Sequence, residues 1–165
     1  MKLIKSPNPV LKQSAEDWDF AVDLAADKVE TEMISLMQSN NGIGLAANQV
    51  GLLKRVFVIQ LQIHTDITRP LAMFNPRVIN QSIDEQTGEE GCLSFPDLWL
   101  DVKRPKSITA AYLDKTGKEY IIELNGIDTR CFLHELDHLN GTCFTEKISP
   151  LKLALAIKKQ RKRNG

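Results

Sequence analysis

Histidine and cysteine are both scarce in this sequence, three of each among 165 residues, and no run of about 18 apolar residues occurs anywhere. An odd set of thiols, Cys92, Cys131 and Cys143, cannot pair completely within one chain. That argues against a disulfide-stapled secreted framework and for free thiols or metal ligands in a reducing compartment. The missing apolar run excludes a transmembrane helix, and the start, Met1 to Pro7, has charge but no following apolar region of the kind a signal peptide needs. A soluble, cytoplasmic protein with no membrane contact is expected. Net charge is absent too. The 21 Lys and Arg balance 21 Asp and Glu, so the chain as a whole has nothing to draw it to nucleic acid and no specific DNA binding is expected. The local exception is Lys158 to Gly165, where the last eight residues carry five positive charges and no negative one. A solvated helix end whose cations complement the helix dipole accounts for it, with an anionic docking surface as the alternative.

What is present fits one globular domain over residues 1–165: 42% hydrophobic and 25% charged residues, with no repeat, linker or low-complexity segment. Val22, Ala25, Ala26, Val29, Met33, Leu36 and Met37 recur every three or four positions, which predicts an amphipathic helix ended by Asn40-Asn41-Gly42. Residues 55–62 and 71–80 are rich in β-branched and aromatic side chains and read as strands. Residues 107–113 and 119–124 form a hairpin through Asp114-Lys115-Thr116-Gly117. A helix over about 128–140 comes next, with Gly141 just past its end, and Ser149-Pro150 opens a last helix with Ser as N-cap and Pro at the first helical position. The order predicts an α+β fold in which antiparallel strands pack around a central metal-binding helix, with N-terminal and C-terminal helices.

That central helix contains His134-Glu135-Leu136-Asp137-His138. Positions i and i+4 share a helix face, so both imidazoles can reach one ion. Glu135, next to the first ligand but off that face, can serve as proton acceptor for a water on the ion instead of binding it. Such a match arises by chance in about one chain of this length in a hundred or fewer. The pattern points to metal-assisted hydrolysis.

A catalytic ion usually has three protein ligands. Metallopeptidases with this motif often take the third from further downstream, but Phe144 stands where an extended pattern would place a His, and Glu146 is the one carboxylate side chain beyond His138. Cys131 shares a face with both His residues yet lies about 10 Å of helix rise from His138, too far to close on the same ion. Spacing leaves Cys143, His64 and Cys92 open. Cys92 is distinguished only by its setting in Glu90-Gly91-Cys92-Leu93-Ser94, where glycine permits close backbone approach.

Three segments in order, Gly42-Ile43-Gly44-Leu45-Ala46-Ala47-Asn48-Gln49, Glu90-Gly91-Cys92-Leu93-Ser94 and His134-Glu135-Leu136-Asp137-His138, resemble the signature motifs of peptide deformylases. The likeness extends over nearly the whole chain, with Asn48 and Leu133 as departures that touch neither a ligand nor the acid/base. The resemblance implies removal of the formyl group from the N-terminal methionine of nascent polypeptides. It implies Cys92, His134 and His138 as metal ligands and Glu135 as general acid/base. It also implies the Gln49 amide and the Leu93 backbone N–H as stabilisers of charge on the formyl oxygen. Fe(II) is the implied ion in the cell, with Zn, Ni or Co able to take its place. By the same likeness, Ile43 and Gly44 line the substrate channel, and Ile127 and Cys131 help form the methionine pocket. Glu90 and Arg104 are expected to support the ligands from behind, the carboxylate fixing a His tautomer and the guanidinium holding Asp137. N-formylmethionyl nascent peptides are the implied partner, and the basic C-terminal helix is a candidate for ribosome docking. Two other readings remain: a zinc endopeptidase, against which the missing downstream ligand counts, and an inactive homologue or structural metal module that binds peptide ends, which would not need Glu135.

Overall fold

The computed structural model describes residues 1–23 and 25–164, with side chains described through Lys162. Chain order is α1 (Ala26–Ser39), β1 (Gly44–Ala46), β2 (Val56–Ile59), β3 (Leu71–Gln81), β4 (Glu85–Cys92), β5 (Phe95–Pro105), β6 (Ser107–Leu113), β7 (Glu119–Asn125), α2 (Gly126–Leu139) and α3 (Pro150–Asn164), with short 3-10 helices at Pro9–Lys12, Ala47–Val50 and Phe144–Lys147. Five strands form an antiparallel sheet in the order β1-β2-β3-β6-β7, and β4 and β5 form a separate antiparallel pair.

The large sheet is buried on both sides where it passes between helices, and β2 shows why. All of Val56-Phe57-Val58-Ile59 is inaccessible. Alternate side chains of a strand leave opposite faces. Val56 and Val58 join Val29, Met33 and Met37 of α1 with Trp18 and Phe74, whereas Phe57 and Ile59 join Phe132, Cys131 and Leu139 of α2. Phe57 and Phe132 meet edge to face at 5.2 Å between ring centres. The second helix is thus fixed against the sheet by its apolar side, and its histidines face the β4–β5 pair. That pair has its own small apolar cluster, Leu98, Leu100 and Val102 of β5 with Phe144, against which Leu153, Ala156 and Ile157 of α3 pack.

The α+β arrangement around the motif helix is as expected, with three differences. The first helix begins at Ala26, not near Val22: the Asp19 carbonyl accepts from the N–H groups of Val22 (3.3 Å) and Asp23 (2.9 Å), and its side chain accepts from Ala21 at 2.9 Å. These local bonds make residues 19–23 a turn that leaves Val22 exposed. The motif helix begins at Gly126, earlier than expected, where a positive φ of 52° turns the chain out of β7. It ends at Leu139, with Gly141 in the left-handed conformation at φ 73°. The third difference is the β4–β5 pair, together with short β1, none of which the periodicity predicted. The last helix starts at Pro150, and its first turn donates to Ser149, Leu153 N–H to the carbonyl at 3.0 Å and Lys152 N–H to the hydroxyl at 3.4 Å. In the basic tail, Gly165 and the side chains of Arg163 and Asn164 lie outside the described residues.

Candidate metal and active site

One helix supplies most of the site. Arg130, Cys131, His134, Glu135 and His138 are all buried on α2, spaced so that His134 and His138 meet edge to face one turn apart with ring centres 5.0 Å from each other. Strand β4 delivers Cys92 to the same point: its sulfur is 3.3 Å from His138 Nε2. One donor atom from each of Cys92, His134 and His138 lies within 4.8 Å of the others, a group able to hold a metal ion. Among the described residues this is the one such group. Cys131 directs its thiol at the Ile43 carbonyl (3.5 Å) and Cys143 at the Leu11 carbonyl (3.7 Å). His64 lies in a loop tied to Asp128 through its backbone N–H at 3.0 Å. The three positions that spacing left open therefore separate cleanly, with Cys92 at the histidines and the other two away from them.

The donor set suits a borderline divalent ion, with one thiolate-forming sulfur and two imidazoles. His134 Nδ1 lies 2.9 Å from Glu90 Oε2, an arrangement that commits Nδ1 to the carboxylate and leaves Nε2 for an ion. Burial alone would lower the His134 pKa, but Cys92 and Glu90 outweigh it and raise it to about 10. Burial drives His138 well below its ordinary value, and the positive charge at His134 adds to this. Glu90 is itself buried, which would raise its carboxyl, yet hydrogen bonds from Arg104 and His134 hold it at about 2.

Glu90 is the hub of a buried ionic cluster. Arg104 of β5 grips it with two nitrogens, at 2.8 and 2.9 Å, and reaches Asp137 at 2.5 Å with a third. These are the contacts expected for Glu90, Arg104 and Asp137. Sequence reasoning missed Arg130. Its guanidinium donates to Glu90 Oε1 (2.8 Å) and to the carbonyls of Val102 (2.8 Å), Gln86 (3.0 Å) and Gly88 (3.2 Å), so it sews both strands of the hairpin to α2. A signal was available, since Arg130 stands four residues before His134 and must share its buried face.

Glu135 stands beside the metal-binding group and belongs to neither network. Its Oε2 is buried with no hydrogen-bond partner among the described residues, and burial pushes its carboxyl up to about 7. Gly44 explains how the opposite wall comes so near: a Cβ there would collide with the Glu135 carboxylate and come within 2.9 Å of the Cys131 sulfur. From the following 3-10 helix, Gln49 accepts the Ala46 N–H at Oε1 (2.8 Å) and presents Nε2 to Ser94 Oγ (3.0 Å) and Cys92 Sγ (3.5 Å). Leu93 sits in the turn joining β4 to β5 directly after Cys92. Asn48 is fully buried and donates to the His138 carbonyl, tying this segment to the end of α2; contrary to expectation, this departure from the family pattern does touch one of the two histidines, through its backbone.

These groups open onto a cleft of about 520 Å³ whose walls include Ile43, Gly44, Gln49, Cys92, Leu93, Ile127, Cys131 and Glu135. Every residue expected to contact substrate therefore borders one space. A buried carboxyl near neutrality, beside three atoms able to hold a metal ion in an open cleft, suits hydrolysis of a carbonyl compound.

Residues 1–154 match the sequence profile of the polypeptide deformylase family. The peptide deformylase of Rhizobium meliloti is 39% identical over 157 residues, which is 95% of this chain and 90% of that protein. Peptide deformylase 1 of Vibrio vulnificus is 40% identical over 167 residues, 99% of this chain and 95% of that one. The crystal structure of the Ehrlichia chaffeensis peptide deformylase in complex with actinonin superposes with a TM-score of 0.88 at 35% identity, covering 99% of this chain and 96% of that one.

Proposed function

The chain belongs to the polypeptide deformylase family, and from that membership and the geometry of its site we propose that it is a metal-dependent hydrolase, a single catalytic domain that releases formate from the N-formylmethionine of nascent polypeptides. The observation that carries the reading is the meeting of Cys92, His134 and His138 beside a buried Glu135 that is not one of them. A closed structural metal site would have no use for that carboxylate.

Cys92, His134 and His138 would hold the ion, with Fe(II) as our choice for the cell and Zn, Ni or Co as substitutes. When bound, such an ion supplies Lewis acidity, polarising the formyl carbonyl and making water a stronger acid. The protein's own groups do the rest. Glu135, poised near neutrality by burial, accepts a proton at Oε2 from the attacking water and returns it to the departing amine. The Gln49 amide, its nitrogen pointed towards Cys92, and the Leu93 backbone N–H stabilise the charge that grows on the formyl oxygen. Glu90 holds the His134 ring, and Arg104 and Arg130 hold Glu90. The methionine side chain enters between Ile127 and Cys131, while the Ile43-Gly44 backbone pairs with the peptide as an added strand. Strand β1 supports this, because among the described residues it pairs on one side only, with β2.

We place the reaction in the cytoplasm, where nascent chains carry the formyl group; no described helix is long and apolar enough to cross a membrane. Lys158, Lys159, Arg161 and Lys162 are exposed on α3, and we propose that this basic end docks on the ribosome. The test of the enzymatic reading is formate release from formyl-Met-Ala-Ser, measured beside cleavage of the same peptide without its formyl group. Formate from the first and no cleavage of the second is expected; the reverse would make the protein an endopeptidase.

A further inference from the structure

The molecule contains two tryptophans, and they are opposites. Trp18 is buried, packed edge to face on Phe74 at 4.9 Å. Trp99 is 56% exposed, yet it stands in the middle of β5, on the rim of the catalytic cleft. A large apolar ring left in water at a site of recognition needs an explanation that core packing does not supply.

Its position supplies one. Trp99 pairs across the hairpin with Gly91, the residue before Cys92. The ring covers that glycine so closely that a Cβ on Gly91 would come within 2.9 Å of it. One part of the indole is therefore seated on the β4 backbone, which fixes its orientation, and the remainder faces the cleft. Leu3, Phe95 and Pro96 border the same space, making an apolar rim beyond the metal-binding group. Among the described residues, strand β4 pairs only with β5, as β1 pairs only with β2. An extended peptide anchored at Gly44 with its formyl group near Cys92 therefore has its continuation beside Gly91 and under Trp99.

We infer that Trp99 is a specificity-determining residue, selecting nascent peptides with an apolar or aromatic side chain at one of the two positions after the formyl-methionine. The inference rests on the deformylase reading and adds to it a preference at the residues that succeed the methionine. Backbone pairing and the formyl group are common to every substrate, so discrimination must come from side-chain contacts, and a preoriented indole offers one at little cost in conformational entropy.

The test is the ratio of kcat/KM for formyl-Met-Xaa-Ser and formyl-Met-Ala-Xaa with Xaa as Phe or Leu to that with Xaa as Gly or Asp, each ratio taken within a single protein. The wild type should prefer the apolar residue at one position by about threefold to tenfold, the range that an aromatic contact supplies. In Trp99→Ala the ratio should fall towards one, and in Trp99→Phe most of it should survive. Because Trp99 is exposed, the Ala variant should fold; its circular dichroism and melting curve check that. Equal ratios in wild type and Trp99→Ala, or no preference at either position in the wild type, would overturn the inference and leave the deformylase reading standing. Absence of formate release by the wild type from every peptide would sink both.

Discussion

The five-stranded sheet and the β4–β5 hairpin are held to the same helix by different physics. The sheet is fixed by apolar side chains that alternate between α1 and α2, with Phe57 and Phe132 among them, all inaccessible. The hairpin is fixed beside the histidines by charge: Glu90 accepts from Arg104 and Arg130, and Arg104 also binds Asp137. Apolar contact is additive and tolerant of small shifts, so it serves a scaffold. A buried ionic cluster is directional and fails when one member is removed, so it serves a place where a sulfur must be held against two imidazoles. If that contrast is right, substitutions in the two regions should damage different properties.

The largest effect should come from the hairpin's own candidate ligand. Cys92→Ala should abolish both stoichiometric metal and formate release, whereas Cys131→Ser and Cys143→Ser should each keep one equivalent of metal by elemental analysis; full metal in the Cys92 variant would contradict the assignment. Glu135→Ala should keep metal and fold but lose about 10² to 10⁴ in turnover, the range for a general acid/base. Retention of most of the turnover would remove Glu135 from the chemistry. Gln49→Ala should cost about 10² to 10³ in kcat with little change in KM, as for one lost donor to a transition-state oxyanion. A change in KM alone would make it a packing residue.

Glu90→Gln sharpens the comparison, because it loosens the hairpin and its hold on the His134 ring while leaving all three metal-binding side chains in place. Metal affinity should fall about 10- to 100-fold, measured by competition with a chelator. The pH dependence has a definite sign. The carboxyl of Glu90 is held at about 2 in the folded protein against an ordinary 4.5, so the stability it contributes is complete above 4.5 and is lost as pH falls from there towards 2. Melting temperatures across that window should fall more steeply for the wild type than for the Gln variant, and parallel curves would show that Glu90 is not the group responsible. The smallest effect on turnover belongs to the scaffold. Phe57→Ala should cost about 3–5 kcal/mol in urea unfolding, while the folded fraction keeps nearly normal kcat. A large loss of kcat in folded protein would mean that the sheet, too, positions the site.

The same contrast explains what could be read from the sequence. Strands of the large sheet and the histidine helix announced themselves through apolar periodicity, and the hairpin turn at Asp114–Gly117 through its composition. Strand β4, Glu85 to Cys92, has no apolar alternation because its one buried residue is Glu90. Strand β5 does alternate, burying Leu98, Leu100, Val102 and Arg104, but a charged residue in an inward position and prolines at both ends hide the pattern. The histidines and Glu135 were legible from local spacing, since one helix fixes their geometry. Cys92 was not, because it lies 42 positions before His134 and only pairing in space brings them together; there the family resemblance served where spacing could not. Arg130 was overlooked because an arginine on a helix is usually solvated, and Trp99 because the strand that carries it was itself hidden.

A primary amide is nearly symmetric in shape, and its oxygen and nitrogen ends can exchange by half a turn about one bond. At Gln49 a single backbone hydrogen removes that freedom. The Ala46 N–H engages Oε1, so the positive end of the side-chain dipole must point towards Ser94 and Cys92. The sign of the dipole that Gln49 presents to Ser94 and Cys92 is thus set by a peptide group three residues earlier in the chain, whose own side chain is a methyl. Neither the identity of residue 46 nor its chemistry carries that information; the direction of its N–H does.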